Sequence, residues 1–293
     1  MAYQYDVQQM LALLDRIIRK SVSEKEYLWL QEQLQRYEKE HKISFFNLTF
    51  TAIPRFVKKA YPASGETIGL EGIQSIRKNF TIAGWSADRL ARSWWLLHLP
   101  AQDAAAYTRQ MENLFKSAEM NEQVALYGTL PLFAYPEAFR HRASEGVRNN
   151  IGSVFEAVVL DNPYPSEYLE EAAWNQLVLK AFFMAKPANR IIGLDERANA
   201  RLAHILSDYA HERWAASRPV SSLLWRPVGR FLDEGIFPDI RRLSQSGNDR
   251  ELQAALLACA QSDYEQAREL LDQYPLYKQQ IEAGKLTWEM LTD

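Results

Sequence analysis

Three stretches of this chain place charged side chains where helical periodicity demands apolar ones, and those charges are its best candidates for chemistry. In a helix over 147–160, Val147, Ile151, Val154, Phe155, Val158 and Val159 fall within an arc of about 140° at 100° per residue. Arg148 lies inside that arc and Asn149 outside it. From Ala172 onward the helix expected here is apolar in every direction, through Trp174, Leu177, Val178, Leu179, Phe182 and Phe183. Its polar exceptions there are Asn175, Gln176 and Lys180, and the i,i+4 spacing puts Gln176 and Lys180 on one face. A third arc, Leu194, Ala198, Leu202, Ile205, Leu206 and Tyr209, runs on into Glu212 and Arg213. A charge aimed into apolar surroundings needs a partner. If the three stretches converge, Arg148, Lys180 and Arg213 outnumber Glu212 and line a net positive cavity suited to a phosphate or carboxylate. The ligand-binding set is then Arg148, Asn149, Asn175, Gln176, Lys180, His211, Glu212 and Arg213. The competing reading makes each charge a structural ion pair, or a side chain that lays its stem on the core and its head in water.

His204, Asp208 and His211 stand at i, i+4 and i+7 on the opposite face of the third stretch, within about 60°. That spacing permits zinc or iron, and a solvated face with Arg201 paired to Asp208 explains the same residues. The string Tyr209-Ala210-His211-Glu212 departs from H-E-x-x-H because residue 215 is Ala. The sequence therefore assigns no metal and no other cofactor. It contains no G-x-S-x-G elbow, P-loop or dinucleotide fingerprint. The lone cysteine, Cys259, excludes an intramolecular disulfide and reads as a small core residue. If the chain is an enzyme, Glu212 or His211 is the general base, with Arg148, Lys180 and Arg213 holding the anion. Adjacent helix residues point about 100° apart, so at most one of that pair lines a given pocket.

The elements that must carry these residues are helices. Apolar periodicity predicts them over 4–19, 23–39 with a Ser23/Glu26 capping box, and 43–59 with a bend or end at Pro54. The stretch 61–83 is less regular. Further helices are expected over 86–100, 103–117, 121–133, 136–160 with a break at Gly146, 165–186, and 194–217 with Asp195 as N-cap. The series closes with 221–235, 238–245, 249–261, 263–273 and 275–283. No alternating β-branched runs bounded by hairpin signals occur. The fold class is all-α: a degenerate, HEAT-like α-solenoid or a compact multi-helix array of antiparallel helix pairs. The chain reads as a single all-helical domain over 1–293, and the Gly-containing stretch admits an N-terminal subdomain 1–84 ahead of a main body 85–293.

Bulk properties narrow the partners. With 293 residues, 47% hydrophobic and 24% charged, the chain is that of a folded globular protein. A net charge of −3 gives no overall drive toward nucleic acid. No apolar run is long enough for direct membrane insertion, and the first residues lack a signal-peptide pattern, so the expected location is cytoplasmic.

Between 145 and 226 the sequence resembles the EboA family. The resemblance is carried by Glu145-Gly146-Val147-Arg148-Asn149-Asn150, Asp161-Asn162-Pro163-Tyr164-Pro165, Ala173-Trp174-Asn175-Gln176-Leu177-Val178-Leu179-Lys180-Ala181 and Gly193-Leu194-Asp195-Glu196-Arg197-Ala198-Asn199. Its strongest string is Asp208-Tyr209-Ala210-His211-Glu212-Arg213-Trp214-Ala215-Ala216-Ser217-Arg218, followed by Leu224-Trp225-Arg226. The family usually has Gly where this chain has Ser217. A looser match extends to Ile53-Pro54-Arg55-Phe56 and Gly84-Trp85. The resemblance implies a bacterial accessory protein of secondary-metabolite traffic, encoded in a cluster proposed to move metabolites or their precursors toward the periplasm. It supplies no catalytic residues. The expected partners are other proteins of that cluster or an anionic small metabolite.

Overall fold

The structure, a computed structural model, describes residues 2–60 and 67–291; the first part of the less regular stretch 61–83, residues 61–66, lies outside these. Among the described residues there are sixteen α-helices, short 3-10 turns and no strand, so the all-α expectation holds, realised as packed helix pairs. The chain divides into two compact units, Met1–Leu169 and Glu170–Asp293. The Gly-containing stretch 61–84 falls inside the first.

The first unit contains α1 (Val7–Ser21), α2 (Glu24–Glu40), α3 (Ile43–Phe56), α4 (Thr67–Ile76), α5 (Ala87–Leu96), α6 (Ala104–Ser117), α7 (Met120–Thr129), α8 (Arg140–Arg148), α9 (Gly152–Val159) and α10 (Tyr164–Tyr168). Its helix starts follow local chemistry. The Asp6 side chain accepts the Gln8 and Gln9 amides to open α1, and Ser23 and Glu26 form the expected reciprocal box on α2. Pro54 sits in the last turn of α3, near its end. Helix α5 is the centre, packed on α1, α3 and α7. Its Trp95 is fully buried, stacks on Phe46 at 5.2 Å and donates its indole N–H to the Phe46 carbonyl at 3.0 Å.

The break expected at Gly146 occurs three residues later. Helix α8 runs through Gly146 to Arg148, and the Asn149 side chain accepts the Ile151 amide at 2.8 Å to turn the chain before α9. Gly146 serves close packing: a Cβ there would stand 2.6 Å from a Val158 methyl and 2.8 Å from the Tyr127 ring. A single helix over 147–160 therefore does not exist, and the arc that placed Arg148 among apolar residues dissolves with it. Arg148 ends α8 with an exposed side chain.

His98 gives this unit an acid-sensitive point. It lies edge-on to the Trp94 ring at 4.5 Å, and burial lowers its pKa from 6.5 to about 4. The unfolded chain thus takes up this proton near pH 6.5 and the folded chain only near pH 4. Stability is complete above pH 6.5 and falls as pH drops toward 4, by up to about 3 kcal/mol. His98→Gln should flatten the urea-midpoint profile across that window; an unchanged slope would show that His98 titrates normally.

The second unit contains α11 (Glu171–Phe183), α12 (Ala200–Ala215), α13 (Phe237–Ser244), α14 (Asp249–Ala260), α15 (Glu265–Asp272) and α16 (Pro275–Glu282). Helix α14 is the hub, packed on α13, α15 and α16 and on the 3-10 turns Ser222–Trp225 and Gly229–Phe231 that replace the helix expected over 221–235. Its buried face carries Ala254, Ala255, Leu256, Leu257, Ala258 and Cys259. The helix expected over 165–186 is divided at Leu169 and Glu170 into α10 and α11. The one expected over 194–217 begins later, because Asn199 and not Asp195 is its cap: the Asn199 side chain accepts the Leu202 amide at 2.9 Å. Asp195 instead takes a fork of hydrogen bonds from the Arg226 guanidinium at 2.7–3.1 Å.

Candidate functional site

Helices α11 and α12 pack as a pair, and a groove along that pair is the candidate site. On α11 the wall is Gln176, Leu179, Lys180 and Phe183, spaced i, i+3, i+4, i+7; on α12 it is Tyr209, Glu212 and Arg213, spaced i, i+3, i+4. With Arg218 these residues enclose about 540 Å³, within the range of small-molecule sites.

The pair is held by an amide clasp away from the groove. Asn175, 2% exposed, donates to the Asn199 side-chain oxygen at 3.2 Å and accepts from the Asn199 amide at 2.9 Å. Because Asn199 also caps α12, the clasp fixes the start of one wall against the middle of the other. Both walls end in left-handed turns. Ala185 has φ +50 after α11, with the Lys186 amide reaching back to the Ala181 carbonyl at 2.9 Å. Ser217 has φ +53 after α12, with the Arg218 amide reaching back to the Arg213 carbonyl at 2.9 Å. That conformation favours glycine, which accounts for the glycine that the family resemblance leads one to expect at 217. The turn brings Arg218 to the groove, and the Pro219 carbonyl accepts from Arg213 Nε and Nη2 at 3.0 and 2.8 Å.

Charge and exposure shape what the groove can take. Lys180, Arg213 and Arg218 face one carboxylate, Glu212. Burial holds the Lys180 ammonium below the ordinary lysine range; a site that desolvates a cation strengthens its attraction to an anion. Glu212 forms no ion pair with any described residue, although Arg213 is adjacent in sequence. Phe183 is 71% exposed, so α11 is apolar but not enclosed on every side.

Four of the residues singled out from sequence, Gln176, Lys180, Glu212 and Arg213, thus share one groove. Asn175 belongs to the clasp. Arg148 and Asn149 lie in the first unit, where Asn149 also donates to the Gln123 side chain at 3.3 Å. His211 turns away from Glu212, as adjacent helix residues must, and its Nε2 meets Asp239 at 2.6 Å; Ser207 Oγ donates to the other Asp239 oxygen at 2.6 Å. His204 pairs separately with Asp233 at 2.9 Å, and Asp208 is exposed. The three candidate metal ligands therefore do not close on one point, and among the described residues no group of three His, Cys, Asp or Glu side chains is placed to hold a metal ion. Sequence reasoning passed over Phe183 and Arg218 as site residues. Phe183 is seven residues from Gln176, hence on its face; Arg218 carries no periodic signal, because a left-handed turn and not helical phase delivers it.

Fold and groove together define an all-helical protein with a cation-lined site along one helix pair. A family model described as metabolite traffic protein EboA matches residues 10–229, and the chain belongs to the EboA family. The match spans every residue of the groove. No curated protein and no solved structure matches the chain. Among the described residues no helix is long and apolar enough to cross a membrane.

Proposed function

We propose that this protein is a cytoplasmic accessory protein of metabolite traffic that holds an anionic small metabolite in the α11–α12 groove without turning it over. The observation that carries this reading is the meeting of Lys180, Arg213 and Arg218 around a half-apolar cavity of about 540 Å³. Arg213 and Arg218, which form no ion pair with a described residue, outnumber the one carboxylate and select for negative charge, and Leu179, Phe183 and Tyr209 offer a hydrocarbon or aromatic body somewhere to lie. The family description, metabolite traffic protein, agrees with binding and release.

The test compares thermal unfolding and native mass spectra of the wild type, Lys180→Met and Arg218→Gln. The ligands are 1-naphthoate and phenyl phosphate, with neutral 1-naphthalenemethanol as control. A ligand at one hundred times its Kd stabilises the native state by about 2.7 kcal/mol, an upward shift in Tm of roughly 5–10 °C for a protein of this size. The wild type should show that shift with the anions and not with the alcohol. Lys180→Met should lose most of it, and Arg218→Gln, an exposed change that leaves the core intact, should lose part. Equal responses in all three proteins would place binding elsewhere. No response in the wild type, with Lys180→Met merely less stable, would assign the charges to holding the helices and move the function to a protein partner.

A further inference from the structure

One member of the groove is at odds with a purely anionic ligand. Glu212 lies on the groove wall, close in sequence to Arg213 and Arg218, yet it forms no ion pair and no side-chain hydrogen bond with any described residue. Local geometry keeps it bare. Successive helix residues point about 100° apart, so Glu212 and Arg213 leave α12 in different directions. Arg213 is then held elsewhere, because its Nε and Nη2 both donate to the Pro219 carbonyl, at 3.0 and 2.8 Å. Arg218 follows the left-handed turn at Ser217, with its amide tied to the Arg213 carbonyl at 2.9 Å. The groove thus presents one carboxylate and two guanidiniums that do not pair with one another. Resting on the reading of the groove as an anion site, we propose that its occupant also carries a protonated amine: an aromatic ampholyte whose ammonium meets Glu212 while its carboxylate or phosphate meets Arg213 and Arg218.

Three observations support an amine at Glu212. The first is the bare carboxylate itself, which repels an anion entering the groove unless the same molecule brings a positive group to it. The second is Tyr209, three residues before Glu212 and hence its neighbour on one side of α12. Tyr209 lines the same groove, is half-buried and stacks on no other ring among the described residues. An ammonium lodged at Glu212 therefore also lies beside an aromatic ring, and a carboxylate with a ring is a pair of groups suited to an amine. The third is the separation of charge from hydrocarbon. Glu212, Arg213 and Arg218, the groove charges that form no ion pair, all come from α12 and the turn after it. Helix α11 offers Leu179 and Phe183, four residues apart on one face. The charged head of the ligand belongs against α12 and its ring against α11.

Four molecules of one scaffold test this with the full chain. Naphthylalanine carries both amine and carboxylate, naphthylpropanoate only the carboxylate, naphthylethylamine only the amine, and naphthylethanol neither. In calorimetric titrations at neutral pH, naphthylalanine should bind one per chain and about tenfold tighter than the propanoate. That ratio is the lower end of what a hydrogen bond between charged groups adds. The ethylamine and the ethanol should bind weakest. Glu212→Gln, an exposed change that leaves the core intact, should erase the advantage of naphthylalanine while the propanoate binds as before or tighter. Glu212→Asp should keep part of that advantage. Arg218→Gln, also exposed, should weaken naphthylalanine and the propanoate by the same factor, about threefold or more. If the propanoate matches naphthylalanine on the wild type, or Glu212→Gln leaves the advantage in place, while Arg218→Gln still weakens the propanoate, the amine inference is wrong and the anion site stands. If the ethylamine binds as tightly as naphthylalanine, if Arg218→Gln changes the affinity of neither acid, or if nothing binds, both readings fall.

Discussion

Asn162→Ala should destabilise the protein by about 3–4 kcal/mol, the larger of the single-site losses expected here. Asn162 is 3% exposed, and all three of its side-chain hydrogen bonds run to backbone. Its amide donates to the Tyr127 carbonyl at 3.1 Å and the Ala157 carbonyl at 2.9 Å, and its oxygen accepts the Tyr164 amide at 3.0 Å. One side chain therefore ties the end of α7, the body of α9 and the start of α10. Each such bond contributes roughly 1 kcal/mol net, and buried groups left without a partner add their own desolvation cost. Asp161, just before it, holds φ +52 to aim the side chain inward. Asn162→Asp should be at least as damaging, since it faces two carbonyl oxygens with a carboxylate oxygen. At roughly 2–4 °C per kcal/mol, calorimetry should find Tm lowered by about 6–15 °C for alanine; a fall under 2 °C would mean that water replaces the clasp at little cost.

Gly229→Ala should cost about 2–3 kcal/mol, for a different reason. A Cβ at 229 would lie 2.9 Å from both the Cα and the carbonyl oxygen of Ala258. Those are backbone atoms of α14, which is packed on its other sides by α13, α15 and α16 and cannot withdraw without opening the hub of its unit. Overpacking of this kind costs roughly 1–3 kcal/mol. Gly235→Ala is the control, because its Cβ meets only Asp233 Oδ1 at 3.3 Å and His204 Cε1 at 3.8 Å. Urea titrations should separate the two variants clearly. Equal midpoints would mean that the 3-10 turn at Gly229–Phe231 slides to make room.

Periodicity was a good guide to which residues are helical and a poor one to where helices stop. The boundaries here are set by single polar side chains, Asn149 after α8 and Asn199 before α12, and by left-handed residues such as Ala185 and Ser217. An apolar count over a window averages across such points. That is why Val147 through Val159 reads as one amphipathic stripe when the chain turns in its middle. The groove was legible to the extent that it depends on phase within one helix: Gln176 with Lys180, and Glu212 with Arg213. It was illegible where tertiary partners decide. Asn175 is one residue from Gln176 and looks equally out of place in an apolar helix, yet it faces Asn199. Spacing groups His211 with His204, but carboxylates from residues 233 and 239 draw the two imidazoles to separate points. Several of the strings that carry the family resemblance are fasteners of this kind, Asn162, Asn175 with Asn199, and Asp195 with Arg226.

The chain's single thiol has a practical corollary. Cys259 lies in α14 at 1% exposure, and burial pushes its pKa to about 12, so almost none of it is thiolate at neutral pH. While α14 is seated, an alkylating reagent finds neither access nor a nucleophile; once α14 lets go, it finds an ordinary cysteine. The labelling rate therefore counts openings of the second unit one molecule at a time, with no engineered reporter. A ligand seated between α11 and α12 slows that clock only if its binding energy reaches the α14 hub, so the native cysteine distinguishes occupancy that stays local from occupancy that is felt across the unit.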